Sequence, residues 1–211
     1  MKYEAAIFDL DGTLVHSLPE YRYTVVGAVL KELGVNSHEE DIDRFWFEAG
    51  RDDIVTDNFG LSLDDFWSTY RKHDTTELRK RLTRVYDDVD FIQELKKSGY
   101  KTGIVTGAPL HIAKLEIGML GREHYDAIVV AHRSNGFTPK PNPQGLEECL
   151  NLLDVTKDKA IYVGNADEDI LTARNAQVFD VLIDRKEHEF PEINPSLVIS
   201  SLYELRSFLG I

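Results

Sequence analysis

Residues 4–14, Glu4-Ala5-Ala6-Ile7-Phe8-Asp9-Leu10-Asp11-Gly12-Thr13-Leu14, run from a nearly continuous apolar stretch straight into two carboxylates and a glycine. A short apolar run without polar alternation, bounded by a turn signal, predicts a strand buried on both faces, here Glu4 to Leu10. Such strands belong to parallel sheets covered by helices on both sides, and in those sheets ligands gather at the carboxyl ends of the strands. Asp9 and Asp11 therefore stand where a ligand is expected, and a strand period of two puts them on one face. Carboxylates that close repel, so one is driven toward protonation unless a cation lies between them; a divalent metal resolves the conflict. Gly12 permits a tight turn whose following amides can face an anion.

Working outward, Thr102 to Thr106, Ala127 to Ala131, Ala160 to Val163 and Val178 to Ile183 predict four more strands of the same kind. Helical stretches alternate with them: Val89 to Ser98 closed by Gly99, Pro109 to Leu120 closed by Gly121, Gln144 to Leu153, and Asp167 to Ala176. Pro109 suits a first helical turn. The pattern is α/β, a three-layer, doubly wound parallel sheet. Residues 17–84 differ, being rich in aromatic and charged side chains and lacking strand-like runs. Tyr21 to Leu33, Leu63 to Tyr70 and Leu78 to Tyr86 carry helical spacing. The expected organisation is an α/β core of residues 1–16 and 85–211, with an all-helical module of residues 17–84 inserted after strand one.

Composition bounds the function. A chain of 211 residues with 42% hydrophobic and 29% charged content builds an ordinary globular core, which excludes disordered and fibrous classes. Its formal net charge of −13 repels a phosphate backbone, so nucleic acid is not an expected partner. An anionic small-molecule substrate would need a local positive focus. The single cysteine, Cys149, cannot form an internal disulfide, which favours a reducing cytoplasm. No apolar run approaches the roughly 18 residues of a membrane helix, and Met1 to Ala6 include Lys2 and Glu4 rather than an apolar leader.

Asp9-Leu10-Asp11-Gly12-Thr13-Leu14-Val15 resembles the first motif of the haloacid dehalogenase superfamily of phosphatases. The other motifs of that family follow in order: Ile104-Val105-Thr106-Gly107 matches the second, Lys140-Pro141 the third, and Gly164-Asn165-Ala166-Asp167-Glu168-Asp169 part of the fourth. The insertion after motif one is similar to the family's cap of the first type, as in phosphoglycolate phosphatase-like members. The resemblance implies Asp9 as a nucleophile that forms an aspartyl-phosphate and Asp11 as the acid that protonates the leaving alcohol and then activates water. It also implies a magnesium ion held by Asp9, the Asp11 carbonyl, Asn165 and Asp169, with Thr106, the Gly107 amide and Lys140 on the phosphoryl oxygens. These would supply the positive focus that composition demands, for a small phosphorylated metabolite.

Asn165 departs from the pattern, standing where the family usually has a metal-binding Asp; an amide oxygen can still ligate magnesium but brings no charge. Asp167 is either a substitute ligand or an acidic first turn of its helix. His16 replaces a frequent Asp and Gln177 a frequent Gly. In the inserted module, Ala49-Gly50-Arg51-Asp52-Asp53 reads as a turn from which Arg51 could reach a second anionic group on the substrate. His111 lies in the first turn after motif two, either as a surface histidine or as a contact to substrate, and Phe45, Trp46, Phe47 and Trp67 are expected to pack the module's own core. A phosphomutase and a catalytically weakened regulatory module are the competing functions. A true dehalogenase is disfavoured, since that branch lacks the acid at the Asp11 position.

Overall fold

The computed structural model describes residues 2–48, 50–188 and 192–211, so Met1 and Ala49, on which two of the readings above fall, lie outside the described residues. Strand β1 (Ala5–Phe8) is four residues long and wholly buried. After it come β2 (Val15–Ser17), β3 (Thr83–Val85), β4 (Lys101–Thr106), β5 (Ala127–Val130), β6 (Ala160–Gly164), β7 (Phe179–Ile183) and β8 (Leu197–Ile199). Six of these form one sheet in the order β5-β4-β1-β6-β7-β8, and every neighbouring pair in it is parallel. From β1 the chain winds first to one side, through β4 and β5, and then to the other, through β6, β7 and β8. The reversal leaves a crevice at the carboxyl end of β1, flanked by β4 and β6.

Alternation along the strands sends side chains to two cores. Ala6 and Phe8 of β1, Ile104 of β4 and Ile161 and Val163 of β6 join Phe91, Ile92 and Leu95 of α6 (Phe91–Lys97) and Ala113, Ile117 and Leu120 of α7 (Leu110–Leu120). On the opposite face Ala5, Ile7, Val105 and Ala160 meet Leu146, Cys149, Leu150 and Leu153 of α8 (Gln144–Leu153) and Ala173 and Ala176 of α9 (Asp167–Ala176). The result is helix, sheet, helix: three layers around a doubly wound sheet. Burial pushes the Cys149 thiol up to about 12, which leaves it inert packing.

By its contacts the chain divides into two units, Met1–His16 with Val85–Ile211, and Ser17–Arg84. The second is built from α1 (Pro19–Glu32), α2 (Glu39–Phe47), α3 (Arg51–Asp53), α4 (Leu63–His73) and α5 (Thr76–Leu82). It buries its own core of Val26, Val29, Leu30, Ile42, Phe45, Ile54, Val55, Phe59 and Phe66. Phe45 and Trp67 each pack on Phe66 with ring centroids 5.1 Å apart, and the Trp67 indole donates to Asp52. Trp46 packs against the same cluster, so these aromatics serve the unit's interior. The Ser62 and Thr75 hydroxyls cap α4 and α5, satisfying N–H groups that would otherwise be orphaned.

Several boundaries differ from the sequence reading. Leu78 to Tyr86 does not stay helical: α5 ends at Leu82, and the β-branched Thr83 and Val85 take β3, which pairs with β2 in a sheet of two strands. The inserted segment is therefore not all helix. Val89 to Ser98 opens with a 3-10 turn (Asp87–Asp90) before α6. A sixth core strand, β8, leaves little pattern in the sequence because only three residues pair, and one of them, Val198, is exposed. Gln177 caps α9 with φ 59°, a left-handed conformation that explains why glycine is frequent there.

Candidate active site

The strand β1 stops at Phe8, so Asp9 and Asp11 both lie beyond it and the alternation argument does not govern them. Asp9 is buried and Asp11 exposed. Asp9 N–H donates to the Val163 carbonyl at 2.9 Å, which carries the ladder with β6 one residue further. Beyond it the chain coils around the Leu10 carbonyl, which accepts from Thr13, Leu14 and Val15 N–H at 3.3, 2.9 and 3.1 Å. Gly12 makes this possible twice over. Its φ is +80°, and a Cβ there would sit 2.2 Å from the Asn165 side-chain nitrogen.

Lys140, in the segment before α8, has a side chain only 5% exposed. Its Nζ donates to Asp9 Oδ1 at 2.5 Å and to Asp169 Oδ1 at 2.6 Å, and it lies 5.5 Å from the centre of the Tyr162 ring. Asp169 Oδ1 also accepts from the Tyr162 hydroxyl at 3.2 Å, and Oδ2 accepts from Ala166 N–H at 3.2 Å. Thr13 Oγ1 lies 3.2 Å from Asp9 Oδ2 and 3.3 Å from Asn165 Oδ1. Burial, reinforced by the carboxylates of Asp169 and Asp11 and opposed by Lys140, lifts Asp9 from 3.8 to about 7. Burial alone would lower Lys140, but the carboxylates of Asp169 and Asp9 outweigh it and hold the ammonium well above its ordinary range.

The structure thus brings together Asp9, Lys140, Asn165 and Asp169, and adds Thr13 and Tyr162, to which the sequence reading gave no role. Tyr162 was detectable as the one hydroxyl in the apolar run Ala160-Ile161-Tyr162-Val163. Thr106 is buried at the carboxyl end of β4, where its Oγ1 accepts from Ala108 N–H at 3.0 Å, and exposed Gly107 follows. Asp167 opens α9, with its Oδ1 accepting from Glu168 N–H at 2.7 Å. Arg51 belongs to the second unit, where its guanidinium donates to the Trp46 carbonyl at 2.9 Å. His111 is exposed in the first turn of α7, and His16 stacks on Tyr86 at 4.4 Å.

Magnesium can be tested against this donor set. Among the described residues no three His, Cys, Asp or Glu gather as a metal cluster. Magnesium does not require one, because it keeps several waters and commonly takes one or two protein carboxylates plus substrate oxygens. The Asp9 carboxylate and the Asn165 amide oxygen, both hard donors, converge on one hydroxyl and fit that limited role. Asp169, expected as a ligand, bonds Lys140 and Tyr162 through Oδ1 and Ala166 N–H through Oδ2, and Oδ2, with one bond, keeps a lone pair for a cation.

A raised carboxyl has a consequence for stability. The folded chain holds the Asp9 proton to higher pH than the unfolded chain does, so ionising Asp9 costs stability as pH rises from about 4 to about 7. Without magnesium, Asp9→Asn is expected to melt above the native protein at pH 8, by the equivalent of roughly 1–3 kcal/mol, with the gain shrinking toward pH 5. Thermal melts at the two pH values check this, and a variant less stable at pH 8 than at pH 5, relative to native, contradicts it.

A buried carboxylate at a topological switch, braced by a lysine and followed by the exposed carboxyl of Asp11, is suited to nucleophilic chemistry on an anion. The family model of haloacid dehalogenase-like hydrolases matches residues 6–183, and the chain belongs to that family. Among its relatives, the pyrophosphatase PpaX of Halalkalibacterium halodurans is 26% identical, covering 100% of this chain and 99% of its own length. The PpaX of Bacillus cereus is 28% identical over 83% of this chain and 81% of its own. Of solved structures, a haloacid dehalogenase-like family hydrolase from Streptococcus pneumoniae superposes with a TM-score of 0.80 at 22% identity, covering 99% of both chains. A predicted phosphoglycolate phosphatase from Haemophilus somnus gives 0.76 at 18% identity, also over 99% of both. At such identities the structural likeness speaks for the fold.

Proposed function

We propose that the chain is a magnesium-dependent phosphatase that hydrolyses a small phosphorylated metabolite through an aspartyl-phosphate on Asp9. The observation that carries this reading is the buried Asp9 carboxylate at the switch point, bonded to Lys140 and followed two residues on by exposed Asp11. An Asp9 oxygen attacks phosphorus, the bond to the leaving oxygen breaks, and that oxygen takes a proton from Asp11. Asp11, now a carboxylate, accepts a proton from the water that attacks the same phosphorus, and the bond to Asp9 breaks to release phosphate. Lys140, the Thr106 hydroxyl and the Gly107 amide hold the phosphoryl oxygens, the local positive focus in a chain of net charge −13. Asp9, the Asp11 carbonyl, Asn165 and Asp169 would hold magnesium, which would neutralise phosphate charge so that one anion can approach another. A lone buried Cys149 fits a reducing cytoplasm.

The names of the relatives nominate pyrophosphate and 2-phosphoglycolate as the first substrates to assay, beside an aryl phosphate. Phosphate release that rises with magnesium supports the reading, and no release from any of them at any magnesium concentration refutes it. Recovery of an isomeric phosphorylated product in place of free phosphate would instead indicate a phosphomutase. Asn165→Asp adds a charged oxygen to the cation's shell, and is expected to lower the magnesium needed for half-maximal turnover by roughly tenfold, about 1.4 kcal/mol. It also sets a second carboxylate beside Thr13, so the metal-free variant should melt lower than native and gain more from added magnesium. An unchanged requirement means residue 165 does not face the metal. An inactive native protein revived by Asn165→Asp favours the regulatory module.

A further inference from the structure

Arg185, two residues past β7, reaches the loop that carries Asp9 and Asp11. Its side chain is 8% exposed, and its Nη2 donates to the Thr13 carbonyl at 2.6 Å. The same guanidinium grips Asp88 with both ends, Nη1 to Oδ2 at 2.8 Å and Nη2 to Oδ1 at 3.0 Å, and lies 3.8 Å over the ring of Tyr86. Asp88 is fixed in turn by the Ser201 hydroxyl at 2.9 Å and by Leu202 N–H at 2.8 Å. Three chain segments therefore meet at one planar cation. A buried ion pair contributes little net stability, because desolvation offsets most of its attraction. What distinguishes this one is the third bond, which ends on the residue whose hydroxyl touches both Asp9 Oδ2 and Asn165 Oδ1.

We infer that Arg185 is a positioning residue for the nucleophile loop, holding the Thr13 backbone so that the Asp9 carboxylate stays on the line of attack; this rests on the phosphatase reading of the site. A lysine in its place keeps Asp88 paired but is a point charge, and cannot bond two carboxylate oxygens and a carbonyl as the planar fork does. Small displacements of a reacting group carry large rate penalties: about 1 Å can cost a hundredfold.

The test uses the full chain with Arg185→Lys and Arg185→Met, in two arms. In the first, kcat and KM are measured on an aryl phosphate at saturating magnesium, well below the melting temperature. Arg185→Lys is expected to lose between about ten- and a hundredfold in kcat with KM changed less than about threefold. In the second, hydrogen exchange is followed by mass spectrometry without substrate. The amides of Gly12 to Val15 should exchange roughly tenfold faster or more, while those of β1, β4 and β6 keep native protection. Unchanged kcat or unchanged loop exchange in Arg185→Lys overturns the assignment, as does exchange that quickens equally everywhere, since that marks a purely structural role. If Arg185→Met does not fold, the lysine variant decides alone. If the native chain releases no phosphate, the phosphatase reading fails, while the exchange arm still judges whether Arg185 holds the loop.

Discussion

Asp9→Asn is expected to release no phosphate above background, a loss of at least about a thousandfold, while the chain folds as before. An amide oxygen is too weak a nucleophile to form the aspartyl-phosphate, and the side chain keeps its size, its retained oxygen still accepting from Lys140 while its new amide nitrogen donates to the Thr13 hydroxyl oxygen. Relief of a buried charge raised to about 7 makes the variant more stable at pH 8, which separates loss of chemistry from loss of structure. Asp11→Asn should behave differently, because it keeps the nucleophile and removes the proton donor. Its deficit, about 10²–10⁴-fold on an alkyl phosphate, should shrink on a nitrophenyl phosphate, whose leaving group needs no proton. Near-normal phosphate release by Asp9→Asn would sink the covalent mechanism.

The parts of the fold that were legible are those written locally. Ala5 to Phe8 is apolar throughout because the strand is covered on both faces, and the helices that carry glycine past their ends were placed to within a few residues. Short pieces failed where periodicity had too few residues to act on: Leu78, Leu82 and Tyr86 fit a helical stripe, yet Thr83-Arg84-Val85 leaves it for β3. The site was legible as a set of chain positions through its resemblance to a family, but the contacts within it were not. Lys140 and Asp9 are 131 residues apart, and Arg185 and Asp88 are 97 apart. No local pattern around Pro139-Lys140-Pro141 says that its ammonium lies between two carboxylates. Asp169 shows the same limit, because its place in the motif suggested the metal and says nothing of the bonds its oxygens make to Lys140, Tyr162 and Ala166 N–H.

That shared ammonium sets the largest expected effect on stability. Lys140→Met replaces it with a thioether of similar length and leaves Asp9 and Asp169 buried without the cation that bonds both, at 2.5 and 2.6 Å. Removing one partner of a buried ion pair costs about 3–5 kcal/mol, and here two carboxylates lose theirs at once. The strain can be relieved by a proton, which takes the place of the ammonium between the two acids. The variant is therefore expected to melt many degrees below native at pH 8 and to recover much of that loss at pH 5, because loss of Lys140 removes the influence that lowers the Asp9 pKa and so widens the range over which ionisation costs stability. Turnover should not recover with the fold. Without a cation on the phosphoryl oxygens, phosphate release should stay about 10²–10³-fold below native at both pH values. Asp169→Ala completes the comparison: it frees Lys140 on one side and relieves crowding of the acids, so it should impair turnover with a smaller loss of melting temperature than Lys140→Met. Melts and phosphate release for the three proteins at the two pH values make the measurement, and a Lys140→Met protein as stable as native at pH 8 would show that the ammonium does not hold these carboxylates together.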